Sequence, residues 1–92
     1  MNYKVIYTKK AEKDLEEYQC AGSEEELRKI KELTAELRDH PESGEGKVEE
    51  LHYESPDEYS RRVSHEDRMV YRIDRENHTV TILSLRGHYS DH

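Results

Sequence analysis

The sequence contains no tryptophan and no phenylalanine, so its seven tyrosines supply all of the aromatic volume. Hydrophobic residues make up only 32% of the 92 positions, whereas charged residues make up 40%. A chain of this size and composition builds a small core, which favours association with a second copy or with another protein. We expect one domain over residues 1–92, close to the lower size limit for folding without cross-links.

Cysteine is nearly absent, because Cys20 is the only one. A lone cysteine excludes an intrachain disulfide framework and fits a protein of the reducing cytosol, with a buried or inert thiol rather than a nucleophile. The sequence also lacks any apolar run near the roughly 20 residues that a membrane span needs. Residues 1–6 do not resemble a signal peptide. The prediction is a cytoplasmic protein.

The net charge of −7 argues against indiscriminate binding to nucleic acid, since an acidic surface repels a polyanion. The charge is unevenly distributed, however. Residues 1–58 hold 9 basic and 17 acidic residues, whereas residues 59–92 hold six arginines and five acidic residues. Because the arginine fork suits phosphate, the second part of the chain remains a candidate for binding nucleic acid.

The first half of the sequence predicts a strand and two amphipathic helices. Residues 3–7 are β-branched and aromatic, as is typical of a strand, and Thr8 can cap the helix that follows. Ser23 with Glu26 forms a capping-box pattern for the second helix, which His40 and the following proline end. The residues at helical spacing are Ala11, Leu15 and Tyr18 in the first helix and Leu27, Ile30, Leu33, Thr34 and Leu37 in the second.

The second half predicts four strands joined by short turns. The segments are residues 48–53, 59–64, 68–74 and 79–85. Short connections imply antiparallel neighbours, so these segments form a four-strand antiparallel meander. The predicted fold is α+β: an N-terminal strand, two helices and the meander, with the helices packed on one face of the sheet.

Alternation within the third of these strands predicts an arginine-rich outer face. If Met69, Tyr71 and Ile73 face the helices, then Arg68, Val70 and Arg72 face outward. Two interpretations remain open: these arginines contact a phosphate backbone, or they merely balance the many carboxylates.

Arg61 and Arg62 point to opposite faces of the preceding strand, so one of them joins Arg68 on the outer face. The residue count of the intervening turn decides which, and the sequence does not fix it. We favour Arg62, because this arrangement keeps Tyr59 and Val63 on the core face.

Two further residues can complete a catalytic site. Glu49 follows a glycine-containing loop at a strand entry, and His88 lies just past the last strand. A carboxylate, an arginine and a histidine on one sheet face can cleave RNA without a metal ion or cofactor. The carboxylate deprotonates the 2′-hydroxyl, the arginine stabilises the phosphate oxygens and the histidinium protonates the leaving oxygen. His88 and His92 near a chain end lack the fixed geometry of a metal site, and none is expected.

Four short motifs carry a family resemblance: residues 44–51 (GEGKVEEL), 59–63 (YSRRV), 67–71 (DRMVY) and 88–89 (HY). Their order and spacing resemble the YoeB branch of the RelE-type bacterial toxins. The resemblance implies a ribosome-dependent endoribonuclease that cuts mRNA in the A site and is neutralised by a cognate antitoxin. The small core separately favours a homodimer.

By matching motif positions, the resemblance implies that Glu49 is the general base, Arg68 the phosphate-stabilising arginine and His88 the general acid. It implies an RNA-binding set of Arg62, Tyr89, Lys47 and His52, in which Tyr89 can stack on a base.

Some features favour a second interpretation, a noncatalytic binding module on the same scaffold. It would be a ParE-like inhibitor of DNA gyrase or a toxin that has lost its activity. These features are the net charge of −7, the Pro56-Asp57-Glu58 segment before Tyr59, and Ser90-Asp91-His92, which extends past the final tyrosine. The sequence also departs from the family in having Val48 and Glu50 where prolines usually flank the base, a change that bears on catalytic rate. The joint presence of Glu49, Arg68, His88 and Tyr89, which a gyrase inhibitor would not need, favours the nuclease.

Overall fold

The computed structural model describes residues 2–41, 49–50 and 57–86. The predicted order of elements is confirmed. The strands are β1 (Lys4–Tyr7), β2 (Glu49–Glu50), β3 (Glu58–Arg62), β4 (Arg68–Asp74) and β5 (Thr79–Ser84), and the helices are α1 (Lys9–Ala21) and α2 (Glu24–Asp39). The bounds of β4 match the prediction, and β5 ends one residue earlier. Of the strand predicted at residues 48–53, only positions 49 and 50 belong to the described residues.

The five strands form one sheet in the order β1-β5-β4-β3-β2. Strands β2 to β5 pair antiparallel with their sequence neighbours, which confirms the predicted meander. The sheet as a whole is mixed, because β1 pairs parallel with β5. The two helices carry the chain away from β1, and the meander then leads back to it, so the first and last strands become neighbours.

Both helices pack on one face of the sheet. The core combines Ala11, Tyr18, Ile30, Leu33 and Leu37 from the helices with Met69, Tyr71, Ile73, Val80 and Ile82 from β4 and β5. The strand residues follow the alternation predicted from sequence. The opposite face carries Ser60, Arg62, Arg68 and Arg72, together with Val70, which is buried there.

Cys20 is exposed, so of the two predicted alternatives, a buried or an inert thiol, the buried one is wrong. Ala11, Asp14 and Tyr18 define the buried stripe of α1. Position 20 lies nine residues after Ala11, which corresponds to about half a turn away from that stripe at 100° per residue. None of the described helices is long and apolar enough to cross a membrane.

The caps agree with the sequence at one helix and differ at the other. Thr8 accepts a hydrogen bond from the Ala11 N–H, as predicted. Ser23 precedes α2, but its side chain makes no capping bond, and the predicted capping box is wrong. The Ser23 N–H instead bonds the Tyr18 carbonyl at 3.2 Å and helps to close α1, with ψ of 76° at Ser23. One residue thus serves the end of one helix and the start of the next.

Gly22 ends α1 in the left-handed region, with φ of 69°, and its N–H bonds the Gln19 carbonyl. A Cβ at this position would meet no atom within 4 Å, so only backbone strain opposes a side chain. We expect Gly22→Ala to lower the free energy of unfolding by about 1 kcal/mol. Urea denaturation measures the change. Gly22→Asn is the matched control, since asparagine tolerates this conformation, and an equal loss in both variants would contradict the explanation.

Candidate functional site

The outer face of the sheet brings two of the predicted site residues together. Arg62 on β3 is the register partner of Arg68 on β4, and Arg62 is exposed. Arg61 is fully buried on the core face. Of the two arrangements considered for the neighbouring arginines, the favoured one is therefore confirmed.

Arg61 is buried because the core supplies partners for its guanidinium. Its Nε donates to the Tyr71 hydroxyl at 3.1 Å, Nη1 donates to Glu36 at 2.8 Å, and Nη2 donates to the His40 carbonyl. These bonds tie β3 and β4 to the last turn of α2. Arg61 therefore has a structural role, which its neighbour in sequence does not share.

Ser60 orients the guanidinium of Arg68. The Arg68 Nε donates to the Ser60 hydroxyl at 2.8 Å, and its Nη2 lies 3.5 Å from the Ser60 carbonyl oxygen. Ser60 itself is completely buried. Because a serine hydroxyl can receive the Nε proton, it fixes the plane of the guanidinium on the outer face.

The register of β2 with β3 places position 49 next to this region. It is the register partner of Ser60, whereas Glu50 is the partner of Tyr59. Residues directly opposite one another in an antiparallel pair belong to the same face of the sheet. Position 49 therefore shares the outer face with Ser60 and Arg68, two strands away from β4, or about 10 Å at the usual spacing.

Carboxylates pair with two arginines further along the chain from Arg68, one on β4 and one just after it. Glu58 accepts a hydrogen bond from Arg72 at 2.8 Å, and Asp57 accepts one from Arg75 at 2.8 Å. For Arg72, one of the arginines predicted on the outer face, the charge-balancing interpretation is confirmed.

The remaining predicted site residues, Lys47, His52, His88 and Tyr89, lie outside the described residues. Among residues 2–41, 49–50 and 57–86, no group of three histidine, cysteine, aspartate or glutamate side chains could hold a metal ion.

Sequence reasoning overlooked a buried carboxylate on α1. Asp14 is 6% exposed and accepts hydrogen bonds from the Leu85 and Arg86 N–H groups at 3.0 and 3.3 Å. Lys10 also donates to it at 2.7 Å. The available signal was an acidic residue within the apolar stripe of an amphipathic helix, three residues after Ala11 and four before Tyr18.

The environment of Asp14 determines how acid affects stability. Burial raises the pKa of this carboxyl, but the hydrogen bonds from Lys10, Leu85 and Arg86 lower it by more, so the net pKa lies below its usual value. A lowered pKa in the folded state contributes stability above about pH 4 that is lost as the pH falls through the folded pKa. We expect the stability difference between wild type and Asp14→Asn to shrink in that acid range in urea titrations. A difference independent of pH would contradict this origin.

Comparison with known proteins gives a consistent result over most of the chain. Residues 7–89 match the family described as YoeB-like toxin of bacterial type II toxin–antitoxin system. Toxin YoeB of Mycobacterium bovis is 39% identical over 69 residues, which make up 75% of this chain and 79% of that protein.

Solved structures share the fold. A YoeB/ParE toxin from Agrobacterium tumefaciens aligns with a TM-score of 0.85 at 29% identity and covers 94% of this chain and 99% of its own. The YoeB dimer from Staphylococcus aureus aligns with a TM-score of 0.82 at 30% identity, over 97% of this chain and 100% of its own. A heterotetrameric YoeB–YefM toxin–antitoxin complex from the same organism has a TM-score of 0.78, with the same identity and coverage. The RelE/YoeB-like fold predicted from the motifs is confirmed.

Proposed function

This chain belongs to the family of YoeB-like toxins of bacterial type II toxin–antitoxin systems, and from that premise we propose that it is a ribosome-dependent endoribonuclease that cleaves mRNA in the A site. The observation that carries the proposal is the placement of Arg68. Its guanidinium is oriented by Ser60, the register partner of Glu49, and it lies beside the exposed Arg62. A phosphate group could be bound at this point between two strands.

In the proposed reaction, the Glu49 carboxylate takes the proton of the 2′-hydroxyl. The 2′-oxygen then attacks the adjacent phosphorus, and the bond from phosphorus to the 5′-oxygen breaks. His88, as an imidazolium, gives its proton to that 5′-oxygen. The products are a 2′,3′-cyclic phosphate and a 5′-hydroxyl, and no metal ion or cofactor takes part.

Arg68 would stabilise the charge that gathers on the nonbridging phosphate oxygens. Electrostatic stabilisation is strongest when the donor is already oriented, because no reorganisation is then needed during the reaction. The bond from Nε to Ser60 supports this role, since it leaves the orientation of the planar group to the protein rather than to the substrate.

The distribution of charge supports RNA binding on the outer face. The acidic helices pack on the opposite face of the sheet, where Glu12, Glu16, Glu24 and Glu32 are exposed. We propose that Arg62, Lys47 and His52 contact the RNA backbone and that Tyr89 stacks on a base. The ribosome would supply the remaining alignment of the message, which explains how a chain with a net charge of −7 could act on RNA.

The relatives also suggest the partners of this chain. YoeB of Staphylococcus aureus has been solved both as a dimer and in complex with YefM. We propose a cognate antitoxin that neutralises this chain, and a homodimer as an assembly of the free protein. Its place of action would be the cytoplasm, where its ribosomal target is.

Primer extension on mRNA from cells that express the protein tests the proposed function. Cuts in phase with codons, which appear in purified translation reactions and require ribosomes, are the expected result. The competing function, inhibition of DNA gyrase by a noncatalytic surface, predicts double-strand DNA breaks without RNA cuts. That second pattern would refute the nuclease.

A further inference from the structure

Asp14 accepts hydrogen bonds from the backbone just after the end of β5. The last register pair between β4 and β5 joins Val70 and Ser84. The next two N–H groups, those of Leu85 and Arg86, both donate to the same Asp14 oxygen. A side chain from α1 therefore continues to fix the backbone where the strand ladder has ended.

Tyr18, one helical turn further along α1, connects this strand end with the start of β4. Its hydroxyl donates to Asp67 at 2.6 Å and lies 3.2 Å from the Leu85 carbonyl oxygen. Asp67 is held in turn by the Ser64 hydroxyl, which accepts a hydrogen bond from its N–H at 3.1 Å. Asp67 directly precedes Arg68, and Arg86 lies two residues before His88.

The position of this cluster suggests a role beyond packing. A buried carboxylate and a buried hydroxyl are costly unless all of their bonds are made, and leucine or phenylalanine would fill the same core at lower cost. Such networks can specify one geometry rather than add stability. Here the network fixes the end of β5 relative to the start of β4. The chain leads from the first of these to His88, and the second carries Arg68.

We propose that Asp14 and Tyr18 are positioning residues of the nuclease: from α1 they hold the end of β5, from which the chain leads to His88, against the start of β4, which carries Arg68. The proposal rests on the proposed function, since it assigns no chemistry to either residue. Asp14 acts on β5 alone, whereas Tyr18 acts on both strands.

A substrate that does not need the general acid separates positioning from stability. The probe is a ribosome-bound mRNA in which sulfur replaces the 5′-oxygen of the scissile linkage. When the phosphorus–sulfur bond breaks, the sulfur leaves as a thiolate and requires no proton. Single-turnover cleavage of this mRNA is compared with cleavage of the all-oxygen mRNA, at saturating and at limiting protein, after circular dichroism has established that each variant is folded.

For Asp14→Asn we expect the rate on the all-oxygen mRNA to fall about 100-fold, as a misplaced acid implies. On the sulfur-containing mRNA most of the loss should disappear, as it should for His88→Ala. For Tyr18→Phe we expect the rate on the all-oxygen mRNA to fall about 10-fold. The sulfur-containing mRNA should restore only part of that rate, because the orientation of Arg68 is also disturbed. The matched control is Tyr7→Phe, which removes a hydroxyl bonded to Thr34 at 3.0 Å in another part of the fold and should cleave both substrates like wild type.

The outcomes distinguish the two levels of the proposal. Suppose that wild type cleaves the mRNA and that sulfur rescues His88→Ala. If folded Asp14→Asn and Tyr18→Phe then cleave at the wild-type rate, or lose the same fraction of the rate on both substrates, the positioning role is wrong and the nuclease stands. If wild type cleaves neither substrate, the proposed function fails. Should Asp14→Asn not fold, Tyr18→Phe decides the question alone, since it keeps the aromatic ring in the core.

Discussion

Replacing Arg68 by alanine is expected to lower the rate of mRNA cleavage by about 100- to 1,000-fold, the usual cost of removing one donor that stabilises a transition state. Growth inhibition in cells should disappear with it. The physical reason is that the Ser60 hydroxyl orients this guanidinium before the substrate arrives. Single-turnover cleavage on programmed ribosomes gives the magnitude, and a plating assay gives the growth phenotype.

Arg72→Ala is the matched control for this prediction. Arg72 lies on the same strand and the same face, but it is paired with Glu58 at 2.8 Å and its side chain is 53% exposed. Glu58 is buried, so losing this partner costs some stability, and for folded Arg72→Ala we expect cleavage to change less than about threefold. Equal losses in the two variants would mean that only the total positive charge of the face matters, and the assigned role of Arg68 would then be abandoned.

Replacing Arg61 by methionine is expected to lower the free energy of unfolding by about 3 kcal/mol, although its neighbour Arg62 should tolerate the same change. Arg61 is fully buried, and its removal leaves Glu36 and the His40 carbonyl without the guanidinium they bind. Urea denaturation followed by circular dichroism measures the difference. A variant too unstable to purify would be studied at low temperature.

Arg62→Met serves as the control because it differs by a single position. Its side chain is exposed, so the loss of stability should stay below about 0.5 kcal/mol. Under the proposed function, however, this variant should bind the ribosome-bound mRNA more weakly, with a larger effect on KM than on kcat. If Arg62→Met were the less stable of the two, the assignment of the arginines to the two faces would be contradicted.

Arg61 and Arg62 show what a local sequence pattern can predict about a strand and what it cannot. The alternation of strand residues established that Arg61 and Arg62 face opposite ways, because successive side chains in a strand always do. It did not establish which one faces the core. That depended on the register with β4, in which Arg62 pairs with Arg68, and on the partners that Glu36 and Tyr71 provide inside the fold.

Asp14 shows a different limit. Its place in the apolar stripe of α1 was readable in the sequence, and it could have been marked as an unusual position. Its partners could not, since the Leu85 and Arg86 N–H groups lie more than 70 residues further along the chain. Only the folding of β5 against α1 brings them within hydrogen-bond distance.

The sequence alone determined the order of the elements, the division into an acidic helical part and an arginine-bearing sheet, and the motifs that indicate the family. These features depend on local periodicity and on residue identity, which the chain carries in itself. The tertiary structure decided that β1 pairs parallel with β5, that Arg61 belongs to the core, and that carboxylates neutralise Arg72 and Arg75. The reason is the same in each case: strand neighbours and ion-pair partners are set by contacts between segments that are distant in sequence, and no local pattern specifies them.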